Sequence, residues 1–193
     1  SSEWNAQPPV SFVVNCVVRD HLVLWSRPMA TCKSPMLAMV EPAMTELYLD
    51  DFAAEQVYQL GEYTFSKDEI LRFANDFDPQ PFHIDEAAAA QSNYGGLIAS
   101  GWHTGSVFMR LLVDGLLHKC AGMGSPGVDE MRWLAPVRPG DTLSARLEVD
   151  EVRPSKSKND RGFVITRGVM TNQDGAEVFS LKAPFMLRRR DAH

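Results

Sequence analysis

Between positions 107 and 117, eight of eleven residues are apolar: Val107, Phe108, Met109, Leu111, Leu112, Val113, Leu116 and Leu117. Wound at about 3.6 residues per turn, they cover most of a helix's circumference. Arg110, Asp114 and His118 recur every four positions and mark one narrow polar stripe. A helix that apolar is stable in water only when other elements surround it, so the rest of the chain must supply the wrapping. The spacing predicts this helix over 100–119. Its first turns are mostly small (Ala99, Ser100, Gly101, Thr104, Gly105, Ser106), which lets a neighbouring backbone come close. The apolar run falls well short of the roughly 20 residues that span a bilayer, so no membrane partner is expected.

The wrapping is found downstream. Leu143, Ala145, Leu147 and Val149 alternate with Ser144, Arg146, Glu148 and Asp150, the period of a strand with one buried face. Phe179, Leu181, Ala183, Phe185 and Leu187 repeat the pattern, with Pro184 pointing to an edge or a bulge. Residues 162–171 are rich in β-formers, and 56–65 read as an earlier strand. Pro139-Gly140-Asp141, Asn159-Asp160-Arg161-Gly162 and Asp174-Gly175 carry turn chemistry, which favours antiparallel hairpins. Ahead of the long helix, Ser66-Lys67-Asp68-Glu69 is a capping box, with Ile70, Phe73, Ala74 and Phe77 on one helical face behind it. Residues 85–91 form a second helix. Helices first and strands afterwards give an α+β domain with an antiparallel sheet.

With 193 residues, the chain has room for one such core and an appendage, at roughly 100–200 residues per domain. The division falls at Met44. Residues 1–43 carry three acidic and three basic residues, so the whole net charge of -6 lies in 44–193. The first segment is expected to be a loosely attached extension, read from DNA upstream of a start at Met44. A docked pair of strands over 10–18 and 22–25 is the second expectation. Glu3 and the early interruption Arg19-Asp20-His21 argue against a signal peptide. The acidic balance excludes general nucleic-acid binding, which needs a basic face. Three widely spaced cysteines (Cys16, Cys32, Cys120) exclude a disulfide framework and a cysteine zinc site, and suit a reducing cytoplasm.

The chemistry-bearing stretch is Asp78-Pro79-Gln80-Pro81-Phe82-His83. Two prolines stiffen a short loop at a helix end and hold a carboxylate and an imidazole in fixed relation, as acid/base work requires. Gln80 between them can orient either group or a water. From residue types alone, a helix end with a chance Asp and His is the plainer explanation of the stretch. No His/Asp/Glu spacing resembles a metal site, and Ser100 and Ser106 lack the context of a serine nucleophile.

From Phe77 to Asp85 the chain resembles the hydratase signature of the MaoC-like dehydratases, the family that includes the (R)-specific enoyl-CoA hydratases. That signature is an Asp, then Asn-Pro, an apolar residue and His, with an alanine-rich helix after it. Gly95-Gly96-Leu97-Ile98-Ala99-Ser100-Gly101 and Pro136-Val137-Arg138-Pro139-Gly140-Asp141 extend the likeness, which spans about 56–190. Gln80 stands where the better-known hydratases carry asparagine, and Ser100-Gly101-Trp102 replaces the usual His-Gly-Met.

The resemblance implies a hot-dog fold over 44–193, a curved antiparallel sheet wrapped around the long helix. It further implies at least a homodimer with its site at the subunit interface. The implied reaction is reversible addition of water to a trans-2-enoyl thioester, with coenzyme A thioester as substrate and no separate cofactor or metal. His83 would be the base, and Asp78 would hold the water and serve in proton return. The Gly101 N–H would donate to the thioester oxygen, and Gln80, Ser100 and Trp102 would position substrate. Gly101 as a simple packing glycine is the plainer alternative. His103 reads as structural or solvent-facing, and Arg188-Arg189-Arg190 as a solvated tail. Lys156, Lys158 and Arg161 are candidates for the coenzyme A phosphates. Two rival functions share the fold: a thioesterase, which would direct water to the carbonyl carbon, and a non-catalytic acyl-thioester-binding module.

Overall fold

The computed structural model describes residues 46–190. The expected extension over 1–43, its alternative strand pair and the start at Met44 lie outside the described residues. Five strands form one antiparallel sheet in the order β1-β3-β4-β5-β2. They are β1 (Val57–Thr64), β2 (Glu130–Trp133), β3 (Thr142–Pro154), β4 (Arg161–Thr171) and β5 (Glu177–Arg188). The helices are α1 (Lys67–Phe77), α2 (Pro81–Ile84), α3 (Glu86–Gln91) and α4 (Gly101–Gly115), the last followed by a 3-10 turn at Leu117–Lys119.

The strong periodicities behave as their sequence demands. Leu143, Ala145, Leu147 and Val149 of β3 are all buried, and so are Phe179, Leu181, Ala183, Phe185 and Leu187 of β5. These inner faces close on Val107, Phe108, Leu111 and Leu112 of α4. Pro184 sits inside β5, paired with Ile165 of β4 on one side. On its other side the four-residue β2 has already ended opposite Lys182, so no β2 residue needs the missing proline N–H. On the outer face, Arg146 and Arg167 each bond both Glu148 and Glu177, lacing β3, β4 and β5 together.

α4 is less completely wrapped than its composition suggests. Trp102, Met109 and Val113 are exposed on one stripe together with Arg110 and Asp114, whose side chains pair at 2.6 Å. Phe77 departs from the expected buried face of α1 and is 73% exposed, its ring resting against Phe73. The C-terminal arginines are not a free tail. Arg189 pairs with Asp50 and Arg190 with Asp51, and the Arg190 guanidinium also stacks over the Tyr48 ring.

His103 is structural and not solvent-facing. It lies seven residues before Arg110, nominally on the polar stripe, but α1 packs over that end of α4. Its ring stacks on Phe73 at 4.7 Å and meets Phe65 edge-on at 5.1 Å. The residue is buried, its Nδ1 lacks a hydrogen-bond partner, and burial pushes its pKa down, opposed by Glu69 and reinforced by Arg72. A histidine held neutral in the fold binds fewer protons than in the unfolded chain. Its contribution is therefore complete above the unfolded pKa of about 6.5 and is lost as pH falls below it. The melting temperature of the wild type should fall more between pH 7 and pH 5 than that of His103→Phe. Equal slopes would remove His103 as the cause.

Candidate active site

α1 begins at the predicted box, with Ser66 Oγ accepting the Glu69 N–H and the Glu69 carboxylate returning to Ser66. It stops at Asp78, which bonds the Ala74 carbonyl at 2.8 Å while its own backbone has left helical geometry (φ −151°, ψ 67°). Pro79 cannot continue the ladder, and Pro81 opens α2, where a missing N–H costs nothing. That single turn carries His83 back toward Asp78.

His83 is buried, and its Nδ1 lies 2.9 Å from the Ile98 carbonyl oxygen. A carbonyl only accepts, so Nδ1 carries a proton, and in the neutral form of the ring the lone pair is on Nε2. Nε2 stands 3.4 Å from Asp78 Oδ2. The same Oδ2 accepts the Ser100 hydroxyl at 2.7 Å, and Oδ1 accepts the Gln80 amide at 2.7 Å. Burial pushes the Asp78 carboxyl up, but the Ser100 and Gln80 hydrogen bonds, joined by the charge of His83 when its ring is protonated, outweigh it and hold the pKa below the usual value. With the ring neutral, these two atoms, His83 Nε2 and Asp78 Oδ2, each present only a lone pair and cannot bond one another. A water donating one O–H to each satisfies both and turns its own lone pairs outward.

A cleft of about 510 Å³ opens beside this pair, bordered by Asp78, Gln80, His83, Gly101 and Trp102. Five of the six expected site residues thus converge on it. Ser100 does not border the cleft: it is wholly buried, caps α4 by accepting the Trp102 N–H, and spends its proton on Asp78. Any influence of Ser100 on substrate passes through that carboxylate. The cleft walls include the buried Ile98, Ala99, Val137 and Val178, an apolar surface suited to hydrocarbon. Gly101 is the first residue of α4, where an N–H has no intrahelical acceptor and the helix dipole favours negative charge.

Residues 51–171 match the MaoC like domain. The chain belongs to the MaoC-like dehydratase family. Its likeness to YdeM, an uncharacterised Bacillus subtilis protein, is 30% identity over 141 residues, 73% of this chain and 99% of that protein. The 3-hydroxybutyryl-CoA dehydratase of Methylorubrum extorquens is 27% identical over 119 residues, 61% of this chain and 73% of the relative. Among solved structures, the MaoC-like dehydratase from Rhodospirillum rubrum shares 41% identity with a TM-score of 0.68, covering 75% of this chain and 98% of that one. The R-hydratase PhaJ1 from Pseudomonas aeruginosa shares 25% identity with a TM-score of 0.58, covering 77% and 93%. The sheet around α4 is accordingly a hot-dog fold.

In this MaoC-like domain one border residue has no signal in the sequence pattern: Trp133, at the end of edge strand β2. Its indole N–H donates to the Gly101 carbonyl at 2.7 Å, and its ring meets Trp102 edge-on. A Cβ on Gly101 would fall 2.5 Å from Trp133 Cε2. The missing side chain at Gly101 therefore makes room for an indole, and the packing role expected as an alternative is realised.

The expected phosphate-binding residues Lys156, Lys158 and Arg161 lie elsewhere. They belong to the β3–β4 turn and the start of β4, whereas the cleft residue Val178 lies beside the opposite end, where Thr171 pairs with Glu177. The 11 residues of β4, at about 3.3 Å each, put roughly 30 Å between that turn and the cleft of the same subunit. Arg161 is also engaged by Asp160. Among the described residues no His, Cys, Asp and Glu group is arranged to hold a metal ion, and no helix is long and apolar enough to cross a membrane.

Proposed function

We propose that this protein catalyses the reversible hydration of a trans-2-enoyl-CoA to the (R)-3-hydroxyacyl-CoA. The observation that carries the reading is the pair of converging acceptors, Asp78 Oδ2 and His83 Nε2, 3.4 Å apart at the cleft border with the histidine tautomer fixed by Ile98. A water held between them loses one proton to Nε2 as its oxygen bonds C3, and the pair returns a proton to C2 on the same face. One water is consumed, with its hydroxyl on C3 and a hydrogen on C2. Negative charge moving onto the thioester oxygen is met by the Gly101 N–H at the start of α4, a kind of contact worth roughly 3–4 kcal/mol. The named activities of the Methylorubrum and Pseudomonas relatives support this class of reaction.

Crotonyl-CoA is the test substrate. Loss of enoyl absorbance without release of thiol, giving the (R) product on chiral separation, is the expected result. Release of free thiol would instead make the protein a thioesterase, and tight binding with neither change would make it a binding module. The exposed apolar residues Trp102, Met109 and Val113 of α4, with Trp133 and Leu134 beside the cleft, are assigned to a second copy of the chain. A monomeric mass by light scattering under assay conditions would remove that assignment.

A further inference from the structure

A tryptophan from an edge strand seated on the first residue of the buried helix is more than a packing detail if that residue carries the thioester oxygen. The inference below rests on the hydration reading. Cβ stands about 2.5 Å from its own amide nitrogen. Ring atoms of Trp133 within 2.5–2.8 Å of the Gly101 Cβ position therefore lie within about 5 Å of the Gly101 nitrogen. An acceptor oxygen sits about 2.9 Å from an amide nitrogen, so a thioester oxygen bound there lies within about 8 Å of the indole, which borders the same cleft. The peptide that follows Gly101 is held at both of its polar ends. Trp102 N–H is fixed by Ser100 Oγ at 3.2 Å, and the Gly101 carbonyl by the Trp133 indole at 2.7 Å. Ser100 is itself tied to Asp78. The peptide next to the donor is thus joined to the acid/base pair through one buried hydroxyl, while the indole holds the carbonyl end of that same peptide.

We propose that Trp133 is a positioning residue of this site: seated in the space left by Gly101 and bonded to its carbonyl, it keeps the Gly101 N–H aimed at the thioester oxygen. A misplacement of about 1 Å at a reacting group can cost on the order of 10²-fold. The effect should fall on kcat more than on KM, because the charge on that oxygen develops in the transition state.

The experiment measures kcat and KM for crotonyl-CoA in the wild type, W133F, W133A, G101A and the double variant G101A/W133A, with melting curves for each. W133F keeps a ring and loses the N–H, and should lower kcat by roughly 3–10-fold with KM within about twofold; W133A should lower kcat by roughly 10–100-fold. G101A forces the indole off its bond and should be the least active. Removing the indole as well should bring G101A/W133A back toward the level of W133A, a non-additivity that two unrelated structural losses would not give. W133A turning over at the wild-type kcat, or a double variant no better than G101A, overturns the role of Trp133. A wild type that hydrates no enoyl thioester overturns the hydration reading itself, so the two failures are told apart by the reference measurement.

Discussion

Asp78→Asn and His83→Ala are each expected to lower kcat for crotonyl-CoA hydration by about 10²–10⁴-fold, the range that a positioned acid or base contributes. The two substitutions remove different things. Asparagine keeps the shape of Asp78 and one acceptor oxygen, which can still take the Ser100 hydroxyl. Its new NH₂ faces Gln80, whose amide can turn to present oxygen. The charge that holds the water is lost while the local hydrogen bonds survive, so a melting temperature close to wild type should accompany the drop in rate. Alanine at 83 removes the base and also strands the Ile98 carbonyl in a buried position, so some loss of stability, about 1–3 kcal/mol, is expected beside the loss of rate. The measurement is steady-state hydration with melting curves in parallel. Turnover within threefold of wild type in a folded Asp78→Asn protein would sink the acid/base assignment and leave the architecture standing.

The parts of this protein legible in its sequence are those where local chemistry and tertiary demand coincide. The capping box at Ser66, the alternation in β3 and β5 and the apolar run of α4 each specify their structure within a few residues. The site was half legible for the same reason. Asp78 and His83 are five positions apart and braced by prolines, but the groups that tune them come from far along the chain. Ile98 fixes the tautomer from 15 residues away, and Ser100 fixes the carboxylate from 22. β2 was not legible. The segment leading to it, Ala121-Gly122-Met123-Gly124-Ser125-Pro126-Gly127, has loop chemistry, and Glu130–Trp133 becomes a strand because Phe179–Lys182 offers an edge. Trp133 therefore carried no periodic signal. Phe77 is exposed, and His103 takes the structural one of its two readings, because a helical wheel shows which residues share a face but not which neighbour covers each turn. α1 covers the first turn of α4, and nothing among the described residues covers the last turn of α1 as fully.

The largest stability effect is expected at Gly168, a position no turn requires. It lies on the inner face of β4, paired with Leu147 of β3 and Leu181 of β5. An added Cβ would strike the Phe108 ring, with Cε1 and Cε2 at 2.8 Å and Cζ nearer still. Phe108 is fully buried on α4 and leans on Phe179, also fully buried, so the ring has nowhere to turn. Glycine is what allows the helix to lie this close to the sheet. Gly168→Ala should destabilise by about 1–3 kcal/mol, the ordinary cost of overpacking a filled core, and Gly168→Val by more. For a domain of this size the alanine variant should melt roughly 2–12 °C below wild type. Pairing it with Phe108→Leu should cost less than the sum of the two single changes, because the smaller side chain vacates the contested volume. An alanine variant melting within 1 °C of wild type would show that α4 can rise off the sheet freely. That outcome would also bear on catalysis. Phe108 stands seven residues from Gly101, about 10 Å along the same helix, so a helix free to lift at one would not hold the other's N–H in place.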